Sequence, residues 1–184
     1  MKKTVFIFSI TLLLFSITGF ITPVKKAVVD EQLQWYTFQQ AVELNKKNPK
    51  KLFIDVFTSW CGWCKVMDAN TFTDPVIIKD LNKYYYAVKL NAEMNDSILF
   101  NNHLFVNPTP EKGRSVHQLA AALLNNQMSY PTVVFLDEGF NMLSPVPGYQ
   151  KPEGLEPILI FYGENHYKTT KWEDFSKNFK GEAK

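Results

Sequence analysis

Residues 60–65 read Trp60-Cys61-Gly62-Trp63-Cys64-Lys65, and this stretch holds the only two cysteines among the 184 residues of the chain. A C-x-x-C pair at the start of a helix is a dithiol that can form a disulfide and release it again. Because no third cysteine is present, no other thiol of the chain can divert an exchange reaction. The stretch therefore predicts thiol–disulfide chemistry at a strand-to-helix junction.

Two other uses of this cysteine pair stay open. One is a purely structural disulfide, although a bridge across so short a loop removes little freedom from the unfolded chain. The other is a zinc site, which needs two more ligands, whereas the histidines are scattered at His103, His117 and His166. His117 is interpreted as a solvated helix residue. The spacing favours redox chemistry, and we expect no metal site.

The place of Cys61 at the start of the expected helix predicts its reactivity. Its sulfur would face unpaired backbone N–H groups and the positive end of the helix dipole, and both favour thiolate over thiol. We therefore expect Cys61 to ionise more readily than a free cysteine and to be the exposed, attacking sulfur. Cys64 lies one turn further on the same face, where it is suited to resolve a mixed disulfide.

Periodicity and turn residues predict an alternation of strands and helices. Apolar runs predict strands at 51–58, 84–91, 132–136 and 142–146, the last two joined by a turn at 137–139. Helices are predicted at 37–47, from the cysteines to about 70, and at 75–81, 115–126, 155–162 and 171–179, whereas 94–128 shows no strand pattern. This order predicts an α/β fold, a central mixed β-sheet flanked by helices on both faces.

Asp55 is the one anomaly in the first predicted core strand, where its neighbours are Leu52, Phe53, Ile54, Val56 and Phe57. A carboxylate in such surroundings is costly if it is charged and unpaired, so burial should raise the pKa of Asp55. A neighbouring Lys89 would counter that rise. A carboxylate beneath Cys64 could accept the proton of that thiol when it attacks. The alternative is a strand-edge Asp55 that backbone donors satisfy.

Several of these marks together resemble the thioredoxin superfamily. Thioredoxins typically carry W-C-G-P-C-K, a buried Asp six residues before the first Cys, a K-L-N strand segment, a cis-proline in a P-T dipeptide and a glycine after the final strand. The matching residues here are Cys61 and Cys64, Asp55, Lys89, Pro131 with Thr132, and Gly148. The resemblance covers about residues 36–180 and implies a thioredoxin fold with an insertion before the cis-proline strand.

Tyr130 and Pro131 lie, by this resemblance, on the substrate-binding side of the site. It implies a cis bond between them, beside Cys61, where the Tyr130 backbone could pair with an extended client segment as an added strand. A trans proline that starts an edge strand is the alternative. Gly148, which follows the last strand, is assigned to the same substrate-binding side.

Trp63 is the main departure from the thioredoxin pattern, since it stands where that pattern has proline. Together with Trp60 and Gly62 it would give the reactive sulfur an apolar rim for loosely folded protein surfaces. Core packing is the alternative for the two tryptophans, more so for Trp60. A second departure is the long segment 94–128, an insertion that either sets partner choice or only extends the core.

The N-terminus has the composition of an export signal. Lys2 and Lys3 precede an apolar stretch at 5–17, which suits the hydrophobic part of a signal and is short for a membrane span. We expect residues 1–20 to be a signal peptide, with an uncleaved membrane anchor as the alternative. Residues 21–35 would be a lead-in segment and 36–184 one domain. Such a protein would be periplasmic or otherwise exported, where a C-x-x-C pair can be catalytic.

The overall composition fits one globular domain and argues against nucleic-acid binding. Hydrophobic residues make up 46% and charged residues 21% of the chain, enough apolar material for one core. The formal net charge is +2, and without Lys2 and Lys3 the 20 basic residues fall to 18, equal to the 18 acidic ones. Arg114 is the only arginine, so bidentate forks for phosphates or bases are almost absent.

These residues predict an exported thiol–disulfide oxidoreductase that reduces disulfides in protein clients, with a catalytic set of Cys61, Cys64, Asp55 and Lys89. We expect no cofactor and a monomer. Its partners would be disulfide-containing or dithiol proteins, including an upstream electron donor that is exported or membrane-bound. Two alternatives stay open. One is a disulfide oxidase or isomerase in the same compartment, and the other is a non-enzymatic thioredoxin-fold module that binds clients through Trp63, Tyr130 and the insertion.

Overall fold

A computed structural model describes residues 32–183, which are built around a five-stranded sheet. Within this range the strands are, in chain order, β1 (Trp35–Tyr36), β2 (Lys51–Phe57), β3 (Tyr85–Asn91), β4 (Ile98–Phe100), β5 (His103–Phe105), β6 (Thr132–Leu136) and β7 (Met142–Pro147). The sheet has the order β1-β3-β2-β6-β7. Strands β1, β3 and β2 run parallel, whereas β6 runs antiparallel to β2 and β7. The predicted mixed sheet is confirmed.

Helices cover both faces of this sheet. They are α1 (Phe38–Lys47), α2 (Gly62–Asn70), α3 (Pro75–Tyr84), α4 (Gln118–Leu123), α5 (Pro152–Gly163) and α6 (Trp172–Asn178), with 3₁₀ turns at Pro110–Lys112 and His166–Lys168. Successive strand residues point to opposite faces. Leu52 and Ile54 of β2 therefore share a core with α1 and α4, and Phe53 shares one with α2, α3 and α5.

Polar caps set the starts of two helices beside the sheet. Thr37 and Gln40 form a capping box at the start of α1, each side chain accepting the other residue's backbone N–H. Asp74 accepts the N–H groups of Val76 and Ile77 at the start of α3. These caps satisfy donors that a first helical turn leaves free, so the predicted starts of both helices are confirmed.

The insertion at 94–128 contains a short β-hairpin, so the expectation that it lacks strands is wrong. Strands β4 and β5 pair antiparallel, with Leu99 opposite Leu104. Both leucines are more than half exposed. Strands of three residues with exposed apolar side chains show no alternation that a sequence pattern could reveal. The helix predicted at 115–126 is the shorter α4.

His117 is fully buried, so its interpretation as a solvated residue is wrong. It precedes α4, where its Nδ1 accepts the backbone N–H of Leu119 at 3.1 Å. Its Nε2 lies 3.0 Å from the carbonyl oxygen of Asp96, to which it donates because Nδ1 already accepts. Burial lowers the pKa of His117. The neutral ring thereby ties α4 to the loop that follows β3.

The predicted signal segment, 1–20, lies outside the described residues, as does most of the predicted lead-in segment. Trp35, the last residue of that lead-in, forms β1 together with Tyr36 and pairs with β3. Within residues 32–183, no helix combines the length and the apolar character that crossing a membrane requires.

Candidate active site

Cys61 and Cys64 are joined by a disulfide at the N-terminus of α2. Cys61 is the N-cap residue, and its sulfur accepts the backbone N–H of Cys64 at 3.0 Å. Unpaired N–H groups and the helix dipole stabilise negative charge at such a position. In the described part of the chain, no three His, Cys, Asp or Glu side chains are grouped as ligands for a metal ion.

Both cysteines are buried in this disulfide form. Cys61 is 6% exposed and Cys64 is 3% exposed, so the expectation of an exposed Cys61 is wrong for the oxidised protein. The bond to Cys64 holds the Cys61 sulfur against the first turn of α2 instead of in solvent. Gly62, by contrast, is exposed, and a Cβ placed on it would meet no atom within 4 Å. The outer side of the C-x-x-C turn is therefore open.

Asp55 lies in β2 directly beside Lys89 of β3. The Lys89 ammonium nitrogen is 2.5 Å from Oδ2 of Asp55, and Asp55 is only 1% exposed. Its second oxygen, Oδ1, is buried without a hydrogen-bond partner in the described structure. Burial raises the pKa of Asp55, and the charge and hydrogen bond of Lys89 lower it in part. The alternative of a strand-edge Asp satisfied by backbone donors is wrong.

Lys89 links this ion pair to the helix that carries Cys64. Its ammonium also binds the carboxylate of Asp68 in α2, four residues after Cys64. Residues four apart lie on one side of a helix, so Asp55 and Lys89 lie on the sheet under that side of α2. The Lys89 nitrogen is also within 5.2 Å of three aromatic ring centres, those of Trp35, Phe57 and Phe72.

Trp60 and Trp63 are exposed by 51% and 61%, so the alternative that they pack in the core is wrong. The Trp60 ring stands edge-on to Tyr130, with 6.0 Å between ring centres. Trp63 lies against Tyr149 at 5.4 Å. The two pairs flank the C-x-x-C turn and form an apolar rim on the protein surface.

Trp60 also has two charged neighbours. Its indole N–H donates to a carboxylate oxygen of Glu93 at 2.9 Å. The guanidinium carbon of Arg114 lies 5.1 Å from the centre of its ring. Glu93 follows β3 and Arg114 belongs to the insertion, so the insertion reaches the rim of the candidate site.

The bond between Tyr130 and Pro131 is cis, as expected. The carbonyl oxygen of Pro131 accepts the N–H of Gly148 at 2.8 Å. Gly148 has φ +90°, a conformation that favours glycine. The Tyr130 hydroxyl is buried without a partner in the described structure, and burial together with the charge of Glu93 raises the pKa of Tyr130. The contact of Tyr130 with Trp60 places this group beside the cysteines.

Four neighbours of the candidate site were not recognised as such from the sequence: Asp68, Glu93, Arg114 and Tyr149. Asp68 has a usable signal, because its spacing of four from Cys64 puts both on one side of a helix. The other three come from loops distant in sequence. Their approach to the tryptophans depends on the folded chain and leaves no local pattern.

Two solved structures share the architecture described above. A thioredoxin-fold protein from Helicobacter pylori matches with a TM-score of 0.54 and 19% identity, over 71% of this chain and 80% of that one. A thioredoxin from Thermus thermophilus matches with a TM-score of 0.53 and 16% identity, over 76% of this chain and 99% of that one. The protein has the thioredoxin fold. At these identities the likeness concerns the fold alone.

Sequence comparison adds a family match over the first part of this thioredoxin-fold chain. The family model Thioredox_DsbH, described as a protein of unknown function, DUF255, matches residues 21–107. This range includes both cysteines, Asp55 and Lys89. An uncharacterized protein of Caenorhabditis elegans is 36% identical over 62 residues, which are 33% of this chain and 8% of that protein. The match thus spans less than a tenth of that relative. The resemblance to the thioredoxin superfamily is confirmed.

Proposed function

We propose that this protein is an exported thiol–disulfide oxidoreductase that reduces disulfides in protein clients. The observation that carries the proposal is the disulfide between Cys61 and Cys64 at the start of α2, over the sheet face that carries Asp55. A buried carboxylate with an unpaired oxygen is costly, and a structural disulfide would not need one. Carboxylates with raised pKa values concentrate at active sites.

The reduced protein would act in two exchange steps. The thiolate of Cys61 attacks one sulfur of a client disulfide, and the other client sulfur leaves as a thiolate. Cys64 then loses its proton, attacks the Cys61 sulfur and displaces the remaining client thiolate. Two electrons have passed to the client, which leaves as a dithiol after taking up protons. The protein is left with the Cys61–Cys64 disulfide of the present structure.

Asp55 would accept the proton that Cys64 loses in the second step. Its Oδ1 is the buried oxygen without a partner, and its raised pKa brings it closer to neutral pH, where a general base works best. Lys89 would hold the carboxylate in place through Oδ2 and balance the charge as the proton moves. Asp55 and Lys89 thus complete the proposed catalytic set.

The client would lie across the rim beside the cysteines. Trp60 and Trp63 offer exposed apolar surface on either side, and Gly62 leaves the space in front of the turn open. An extended client segment would pair with the backbone of Tyr130, next to Pro131. Gly148 supports this arrangement through its hydrogen bond to the Pro131 carbonyl.

Reduction of clients requires a source of electrons. Each turnover leaves the disulfide, so a second dithiol protein, exported or membrane-bound, would have to reduce it. Export is proposed from the residue pattern of 1–20, and a monomer is proposed for the working form. N-terminal sequencing of the protein from its native host distinguishes a cleaved signal from a retained anchor.

The direction of electron flow is tested by the equilibrium potential of the Cys61–Cys64 couple in a glutathione or dithiothreitol buffer. A potential near that of thioredoxin, about −270 mV, supports a reductant. A potential near that of the strong oxidants, about −120 mV, overturns this direction and favours an oxidase or isomerase in the same compartment.

Catalysis itself is tested by two cysteine variants. Cys64→Ser should accumulate a mixed disulfide with a model client through Cys61, and dithiothreitol should release it. Cys61→Ser should form no adduct and should not turn over the model disulfide. Client binding without any covalent adduct in Cys64→Ser would contradict the enzyme and support the non-enzymatic binding module.

A further inference from the structure

Arg114 is placed at the candidate site by a sharp turn in the insertion. Gly113 and Arg114 have φ angles of +62° and +55°, and a left-handed conformation is uncommon for a non-glycine residue. This turn brings the guanidinium carbon to 5.1 Å from the ring centre of Trp60, the residue directly before Cys61. The only arginine of the chain therefore lies at the active-site rim.

Two buried residues, Asn107 and His117, anchor the loop that contains this turn. The side-chain amide of Asn107, which is 8% exposed, donates to the carbonyl of Ser115 at 3.0 Å. The fully buried His117 donates its backbone N–H to the carbonyl of Ala92 at 2.7 Å. The Asn107 amide also donates to the carbonyl of Met94 at 3.2 Å, so Asn107 and His117 both attach the loop to the segment that follows β3. Arg114 is thus an exposed side chain on an anchored loop.

Arg114 is an exposed cation at this rim. No ion pair between residues 32 and 183 includes it. Glu93 binds the ring edge of Trp60 through the indole N–H, whereas Arg114 lies over the ring face. Cation–π contact with the ring orients the guanidinium and leaves its N–H donors available.

We propose that Arg114 selects clients that carry a carboxylate beside the cysteine under attack; this inference rests on the proposed function of the same site. A planar guanidinium matches a carboxylate with two parallel hydrogen bonds, which an ammonium cannot do. A client sulfur that reaches Cys61 passes beside Trp60, so an adjacent Asp or Glu side chain comes within reach of Arg114. The insertion thereby contributes a specificity residue to the site.

The test uses the full chain, reduced, with the substitution Cys64→Ser so that reaction stops at the mixed disulfide. Two short peptides carry one cysteine as a 2-pyridyl disulfide and differ only in having Glu or Gln beside it. Release of pyridine-2-thione gives the rate of attack by Cys61. The uncharged reagent 2,2′-dithiodipyridine serves as the reference for the reactivity of Cys61 itself.

We expect the Glu peptide to react about fivefold faster than the Gln peptide, as an exposed charge pair allows. Arg114→Gln should bring this ratio to one, and Arg114→Lys should retain it only in part. Lys112→Gln, which removes a neighbouring exposed cation, should leave the ratio unchanged.

Equal rates for the two peptides, both well above the rate of a free thiol, would overturn the inference and leave the proposed function standing. A ratio unchanged by Arg114→Gln would also overturn it. If Cys61 reacts with every reagent no faster than a free thiol, the proposed function fails instead.

Discussion

Lys89 places its ammonium nitrogen 2.5 Å from one oxygen of Asp55, while the other oxygen of that carboxylate has no partner in the described structure. The pair is asymmetric in exposure, because the Asp55 side chain is 2% exposed and the Lys89 side chain 24%. Lys89 also binds Asp68 and so retains an acidic partner when Asp55 is neutral. This asymmetry gives the two residues opposite expected effects on stability.

Asp55→Asn should stabilise the oxidised protein at about pH 8, by about 1.4 kcal/mol for each unit by which folding raises the pKa of Asp55. The folded state raises the pKa of Asp55, so it binds the proton more tightly than the unfolded chain does. Ionisation therefore destabilises the fold as pH rises from about 4 through the folded pKa. The gain should vanish below about pH 4, where both states are protonated. Urea unfolding of the wild type and the variant at several pH values measures this gain in the free energy of unfolding. A variant that is less stable by the same amount at every pH would contradict the prediction.

Lys89→Met removes the other member of the ion pair and should lower the free energy of unfolding. It leaves the buried carboxylate of Asp55 without its cation, so we expect a loss of about 2 kcal/mol at about pH 8. The loss is smaller than for a fully buried ion pair, because the Lys89 side chain is partly exposed to solvent. The same urea titrations measure the loss. It should shrink in acid, where Asp55 is protonated, and an equal loss at all pH values would argue against the ion pair.

Asp55→Asn should also slow the resolving step by about tenfold or more, since general bases contribute at least that much. The first attack by Cys61 should be much less affected. Rapid-quench kinetics with a model disulfide separate the two steps by the accumulation of the mixed disulfide. Asp80→Asn is the control, because burial raises the pKa of Asp80 to about 6 but the residue lies in α3. Equal slowing by both variants would contradict a specific role for Asp55.

His117→Gln should destabilise the protein by about 2 kcal/mol at neutral pH, through the loss of a helix cap and a buried hydrogen bond. Burial lowers the pKa of His117, so the unfolded chain takes up a proton first as pH falls below about 6.5. The wild type then loses stability that the variant does not lose. The difference between their free energies of unfolding should therefore become smaller as the pH falls. Unfolding at neutral and acid pH tests this. His103→Gln, an exposed change in the same insertion, is the matched control and should change the stability at neutral pH by less than about 1 kcal/mol.

Gly148→Ala should destabilise the protein by about 1 kcal/mol, because φ of +90° is unfavourable for a side chain even where space is open. Gly62→Ala is the matched control. Gly62 begins α2 without a positive φ and also faces open space, so this change should be neutral or stabilising by up to about 1 kcal/mol. Thermal unfolding of the oxidised variants gives both values. Equal effects would contradict the backbone argument.

Trp63→Ala should raise the KM for a protein client about threefold to tenfold with little change in kcat, because an exposed aromatic contributes to binding and not to the exchange. Stability should change by less than about 1 kcal/mol, since the side chain is 61% exposed. Leu99→Ala removes an equally exposed apolar side chain from the β4–β5 hairpin and should leave KM unchanged. A large fall in kcat for Trp63→Ala would assign it a different role.

Local patterns were enough to predict most of the sheet and, within the site, the cysteine pair and Asp55. Asp74 and the apolar run around Asp55 are signals within a few residues, and both predicted the right element. The thioredoxin resemblance added the pairing of Asp55 with Lys89 and the cis bond before Pro131, which join residues far apart in sequence.

The insertion escaped prediction for a physical reason. His117 lies buried between the first turn of α4 and the loop after β3, where its two ring nitrogens bind Leu119 and Asp96. Arg114 reaches Trp60 only after the insertion is anchored beside β3. Contacts of this kind depend on packing between residues far apart in sequence, and no residue spacing within the segment predicts them.

The central claim is that the N-terminus of α2 stabilises the thiolate of Cys61. The direct test is the pH dependence of iodoacetamide alkylation of Cys61 in the reduced Cys64→Ser chain, folded and then unfolded in urea. We expect the folded protein to reach half its maximal rate at least about one pH unit below the midpoint near 8.5 that a free cysteine shows. Coincident folded and unfolded profiles would contradict the account.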